Sequence, residues 1–122
     1  MRRILVVEDE DLLREMYELV LSAQAFIIDT AENGQVALDL VRKNTYDLIL
    51  LDLMMPVLDG VGFLRQFQEI APPPTRIIVL SNISHGRQLD AAMLLGAHRK
   101  ELKANVSPKQ LVALVRRELE AG

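Results

Sequence analysis

The chain has 122 residues, half of them hydrophobic, which suits one compact domain with a real core. Its formal net charge is −3 and no basic stripe runs through it, which argues against a stand-alone nucleic-acid binder. It has no cysteine, so disulfides and thiolate metal sites are excluded and a reducing cytoplasm is consistent; no apolar run nears the roughly 18 residues of a membrane span.

The N-terminus, MRRILVVEDED, turns strongly acidic directly after Ile4–Val7 and so is no signal peptide. Low-complexity tracts and internal repeats are absent. Ile4–Val7 is a β-branched run of strand length. Asp11–Ala23 places Leu12, Met16, Leu19, Val20 and Ala23 at helical spacing. Phe26–Thr30 reads as a second strand. Asn33-Gly34 opens a second helix, with Ala37, Leu38 and Val41 on its inner face. Leu48–Leu51 is a third strand, apolar on both faces. Gly60–Phe67 is a third helix with Phe63, Leu64 and Phe67 inward.

Pro72–Pro74 forbid helix continuation and form a stiff loop. Ile77–Leu80 is a fourth strand. Gln88–Leu95 is a fourth helix, ended by Gly96 as a C-cap. The polar segment HRKELK, residues 98–103, occupies the place where the alternation of strands and helices requires a fifth strand. Ser107-Pro108-Lys109-Gln110 opens the last helix: serine caps, proline takes the first helical position and glutamine completes a capping box. Leu111, Val112, Leu114, Val115 and Leu119 supply its buried stripe.

Strict alternation of strands and helices predicts a doubly wound parallel sheet, five strands with helices on both faces. The fully apolar third and fourth strands suit its interior. A polar fifth strand suits an edge, where charge blocks pairing with another edge. In such sheets ligands bind at the carboxyl ends of the strands. There the sequence sets Glu8-Asp9-Glu10-Asp11 after the first strand, Asp52 after the third, Ser81-Asn82 after the fourth and Lys103 after the fifth.

If the sheet is parallel, Glu8, Asp9 and Asp52 crowd on one rim and would repel one another. A hard divalent cation relieves that, and Mg²⁺ suits a site of one or two carboxylates plus waters. A carboxylate can attack a phosphoryl group to give an acyl phosphate. A metal and a lysine stabilise charge on the phosphoryl oxygens, and a serine hydroxyl can hydrogen-bond the product. There is no G-x-G-x-x-G and no Walker-A pattern, and the acidic first turn would repel a pyrophosphate. His85 and His98 show no paired ligand pattern and read as surface or loop residues.

The pieces ILVVEDE, DLILLDLMMPVLDG and IIVLS, with LGA followed six residues on by Lys103, resemble the CheY-like receiver domains of response regulators over essentially the whole chain. That resemblance implies the strand order 2-1-3-4-5. It makes Asp52 the phosphoacceptor. It gives Mg²⁺ to Glu8, Asp9, Asp52 and the backbone carbonyl of Met54, and makes Ser81 the switch hydroxyl and Lys103 the invariant lysine. The implied donor is a sensor histidine kinase or phosphotransfer protein in the cytoplasm. An unknown downstream protein would read the switch, with no direct nucleic-acid or membrane binding, from a monomer or weak homodimer. Such a domain promotes its own phosphorylation and dephosphorylation without being a turnover enzyme. In the family the side chains at Met54 and Ile83 control water access to the phosphoryl group, so apolar groups at both imply slow hydrolysis.

The sequence departs from the family at four places. Lys100 stands where an aromatic switch residue is usual, Glu101 where an apolar one is, and Asn82 where a small one follows the switch hydroxyl. Ala104 replaces the proline that follows the lysine through a cis bond. A non-proline cis bond costs roughly 2.5–4 kcal/mol, so a trans bond is expected, or a strained cis bond kept for the site. These changes predict altered or weak signalling from the face of the fourth and fifth helices and fifth strand. The sequence ends just after the fifth helix, from which one receiver domain over 1–122 with no effector domain in it is expected, either a single-domain regulator or a receiver cut out of a longer chain. Two other functions fit parts of the sequence. A non-switching pseudo-receiver would serve as a docking module. A phosphohydrolase of the haloacid-dehalogenase type would need D-x-D, and Met54 occupies the second position.

Overall fold

A computed structural model describes residues 1–70 and 74–121. The strands are β1 (Arg3–Val7), β2 (Ile27–Ala31), β3 (Leu48–Asp52), β4 (Arg76–Ser81) and β5 (Arg99–Leu102). The helices are α1 (Asp11–Ser22), α2 (Gly34–Lys43), α3 (Gly60–Glu69), α4 (Arg87–Leu94) and α5 (Pro108–Ala121). All strand pairs are parallel, in the order β2-β1-β3-β4-β5. The polar β5 is a strand as expected, and it lies at the sheet edge beside β4. The stiff loop expected at Pro72–Pro74 falls largely outside the described residues.

The sheet divides the core in two. On one side Leu5, Val7, Ile49, Leu51 and Val79 meet α2, α3 and α4 through Leu38, Phe63, Leu64, Phe67 and Leu89. On the other, Ile4, Val6, Leu48, Leu50, Ile78 and Leu80 meet α1 and α5 through Tyr17, Leu21, Leu111, Val115 and Leu119. Alternate residues of one strand thus feed opposite faces, which explains why β3 is apolar throughout.

The caps follow from the residues at the helix ends. The Asn33 side chain accepts from the backbone N–H groups of Gln35 and Val36, both at 2.9 Å. Ser107 and Gln110 exchange the two bonds of a capping box. Gly96 follows α4 with φ of +107°, a conformation that favours glycine.

One sequence expectation requires correction. The inner face of α1 is formed by Leu13, Met16, Tyr17 and Leu21, whereas Leu12 and Leu19 are 83% and 73% exposed. The segment carries two neighbouring apolar stripes about one residue apart in rotation. The large Tyr17 ring decides between them by filling the space against β1 and α5.

Candidate functional site

Because Val7 pairs with Leu51 and Asp52 with Leu80, the carboxyl ends of β1, β3 and β4 lie level. The residues that leave these strands therefore share one rim. Glu8 is buried directly after β1, its N–H donating to the Ala31 carbonyl at 3.0 Å. Its Oε2 accepts from the Glu10 N–H at 3.1 Å. Asp52 is the buried last residue of β3, and Asp9 is the more open third member. One carboxylate oxygen from each of Glu8, Asp9 and Asp52 lies within 4.8 Å of the other two.

Lys103 leaves β5 in a short 3-10 turn and brings its ammonium to this rim. Its nitrogen is 2.7 Å from Glu8 Oε1 and 3.3 Å from Asp52 Oδ1, with the side chain only 8% exposed. Burial by itself would depress the lysine pKa; the two carboxylates outweigh it and hold it above its ordinary value. Asp52 moves the other way from a usual acid near a lysine. Burial, then the charge of Glu8, push its carboxyl from 3.8 up to about 7, against the partial relief of Lys103.

The rim thus holds three carboxylates against one ammonium. Glu8 Oε1 has that ammonium beside it but makes no hydrogen bond, although it is buried. Three converging carboxylates with one ammonium between them keep a net negative charge, which fits a hard divalent cation with oxygen ligands.

Ser81 ends β4 in a buried position, but its hydroxyl is folded back on its own loop. It donates to the Ile83 carbonyl at 2.8 Å and accepts from the Ile83 N–H at 3.0 Å. Met54 and Ile83 both hold exposed apolar side chains at the rim. The loop between β3 and α3 turns tightly at Val57, whose φ is +69°, and Leu58 N–H reaches the Pro56 carbonyl at 2.8 Å. Asp59 then caps α3 by accepting from Gly62 N–H at 2.8 Å.

Lys100 is exposed on β5 and makes no ion pair among the described residues, whereas Glu101 sits 3.5 Å from Arg99. The Lys103–Ala104 peptide is trans. Lys103, and not Lys100, reaches the rim. His85 lies on the exposed loop before α4. His98 precedes β5, where its Nδ1 accepts the Ile77 N–H at 3.0 Å, a structural role.

Two neighbours of the site escaped sequence reasoning. Tyr17 is buried on α1; burial and then the charges of Glu8, Asp52 and Glu10 push its hydroxyl up to about 12. Arg14 bonds the turn that carries Glu8 and Asp9. Its i,i+3 spacing from Asp11 was the one signal available, and surface pairs of that kind are common.

The model of the response regulator receiver domain family matches residues 4–116. The chain belongs to that family. As such it is a receiver domain of the response regulators of two-component systems. The transcriptional regulatory protein ResD of Bacillus subtilis is 44% identical over 65% of this chain and 32% of its own length. The response regulator protein TrrA of Thermotoga maritima, solved in complex with Mg²⁺-BeF, is 33% identical over 96% of this chain and 98% of that one, with a TM-score of 0.82. A CheY-like receiver domain protein from Methanospirillum hungatei superposes with a TM-score of 0.91 over 99% of this chain and 95% of that one. At 19% identity it supports the fold alone. The chain spans less than half the length of the curated relatives it matches. Among the described residues no helix is long and apolar enough to cross a membrane.

Proposed function

We propose that this receiver domain, taken over residues 1–122, accepts a phosphoryl group on Asp52 and thereby changes which partner it binds. The observation that carries this is the meeting of Asp52 with Glu8, Asp9 and Lys103 on one buried rim. The donor is the phosphohistidine of a cytoplasmic sensor kinase or phosphotransfer protein. An Asp52 Oδ attacks phosphorus, the phosphorus–nitrogen bond breaks, and its electron pair returns to the histidine ring. Lys103, already 3.3 Å from Asp52, meets the negative charge on the phosphoryl oxygens.

Glu8, Asp9, Asp52 and the carbonyl of Met54 would hold Mg²⁺, which supplies further positive charge against those oxygens. A carboxyl near 7 is only partly ionised at neutral pH, so the nucleophile gains from any cation that draws its pKa down. Ser81 would leave Ile83 to hydrogen-bond the phosphoryl group, and the loop it now braces would respond. The side chain three residues before Lys103 is an exposed lysine, so the face of α4, β5 and α5 signals without the usual aromatic side chain. Met54 and Ile83 shield the phosphoryl group from water and lengthen its life. Phosphorylation acts as a population shift between two states of this surface. The lasting product is a modified protein, so the domain is a switch and not a turnover enzyme.

The test is intact mass after incubation with Mg²⁺ and a small acyl-phosphate donor, beside Asp52→Asn and a sample without Mg²⁺. One added phosphoryl group that vanishes in both controls is expected. No added mass and no Mg²⁺ binding in the wild type would favour a docking module that has lost its switch.

A further inference from the structure

Arg14 sits near the start of α1, where the helix dipole disfavours a cation. Its side chain is nevertheless only 18% exposed. Nη1 donates to the Glu8 carbonyl at 2.9 Å and lies 3.5 Å from the Asp9 carbonyl. Nη2 donates to Asp11 Oδ1 at 2.7 Å. The hydrogen bonds to the first two acids go to their main chain, and the guanidinium makes none to their carboxylates. The same turn is fixed a second time by Glu8 Oε2, which accepts the Glu10 N–H. The main chain of both acids is therefore tied to α1 by one planar fork.

We propose that Arg14 is a positioning residue for the divalent cation: it holds the main chain of Glu8 and Asp9 so that their carboxylates converge with that of Asp52. This rests on the cation site described under the proposed function. Charge and geometry make opposite demands here. As a bare positive charge, Arg14 repels a divalent cation, and its loss tightens binding. As a brace, its loss frees the turn, and the cation must then order it, which weakens binding.

The experiment is calorimetric Mg²⁺ titration of the full chain as wild type, Arg14→Gln and Arg14→Lys, with the rate of acyl-phosphate uptake followed against Mg²⁺ concentration. Arg14→Lys keeps the stem and the charge, but an ammonium cannot span the Glu8 carbonyl and Asp11 as the fork does. It carries the test if Arg14→Gln does not fold. Both variants are expected to bind Mg²⁺ about tenfold more weakly. Their uptake rate at saturating Mg²⁺ is expected to return to the wild-type value. Unchanged or tighter binding in the variants overturns the proposal. So does a lowered maximal rate with unchanged Mg²⁺ dependence. A wild type that binds no Mg²⁺ would overturn the cation site itself, and Arg14's role with it.

Discussion

The Lys103 ammonium lies 2.7 Å from Glu8 Oε1, and both groups are withdrawn from water. This contact uses much of the lysine's charge on Glu8 and leaves Asp52, at 3.3 Å, the less well compensated partner. Burial first, and then the charge of Glu8, raise the pKa of Asp52, and a lysine shared in this way relieves them only in part.

Stability without divalent cations should therefore depend on pH through Asp52. Between 3.8 and about 7 the native state keeps a proton that the unfolded chain has released. The slope of stability against pH from this group is negative. The penalty is absent at the acid end, grows through the window and is complete above about 7. Asp52→Asn removes it and should exceed wild type in stability at pH 8 by on the order of 2–4 kcal/mol, and by far less at pH 5. Urea unfolding of both proteins at the two pH values measures the difference. A difference that does not change with pH would mean that Asp52 ionises as an ordinary acid.

Ser81→Ala should cost about 1 kcal/mol, because the Ile83 N–H and carbonyl are near enough to the surface to find water. Phosphoryl uptake at Asp52 should continue in this variant. Amide NMR signals of residues 82–86 should no longer move on phosphorylation, since the group that ties the loop to the rim is gone. Loop shifts like those of wild type would remove Ser81 from the signalling route.

Gly60→Ala tests how closely α3 approaches the strand that carries Asp52. A Cβ there would lie 2.6 Å from the Asp52 carbonyl oxygen and 2.8 Å from Leu53 Cα, so backbone must move. A loss of about 2 kcal/mol is expected. Phosphoryl uptake should slow as the end of β3 shifts. Full stability with full uptake would show that the two segments have slack.

Glu118→Ala should destabilise the chain by about 2 kcal/mol. Glu118 is buried on α5 and pairs with Arg76 at the start of β4, Nε lying 2.9 Å from Oε2. Its removal leaves a half-buried guanidinium without that partner. A paired Arg76→Leu, Glu118→Leu variant should recover part of the loss, and thermal or urea unfolding of both separates charge from packing. Equal losses in both would assign the effect to packing alone.

The order of elements was readable because strands and helices alternate and because Asn33, Gly96 and Ser107 punctuate the helices. Even the polar β5 followed from that alternation, though its composition opposed it. The rim carboxylates were readable because they interrupt apolar strands at their ends, where charge is otherwise costly. Other features had no local sign. Leu12 and Leu19 mimic an inner stripe, and only the docking of Tyr17 shows which stripe is inside. Glu118 and Arg76 lie 42 residues apart, so nothing in either segment names the other. Arg14 acts on backbone carbonyls, which every sequence supplies at every position.

Every residue of β3 is buried, and the strand is paired on both sides, with β1 and with β4. Amide hydrogens in such a strand are expected to exchange only when the whole molecule opens, and those of the exposed loop after Ser81 and the polar β5 edge far sooner. Asp52 is thus anchored to the most deeply buried strand, and Ser81 borders an exposed loop. On the proposed function, a phosphoryl group at the first is expected to be read at the second as a change in how often a surface is open, with the anchor itself staying in register.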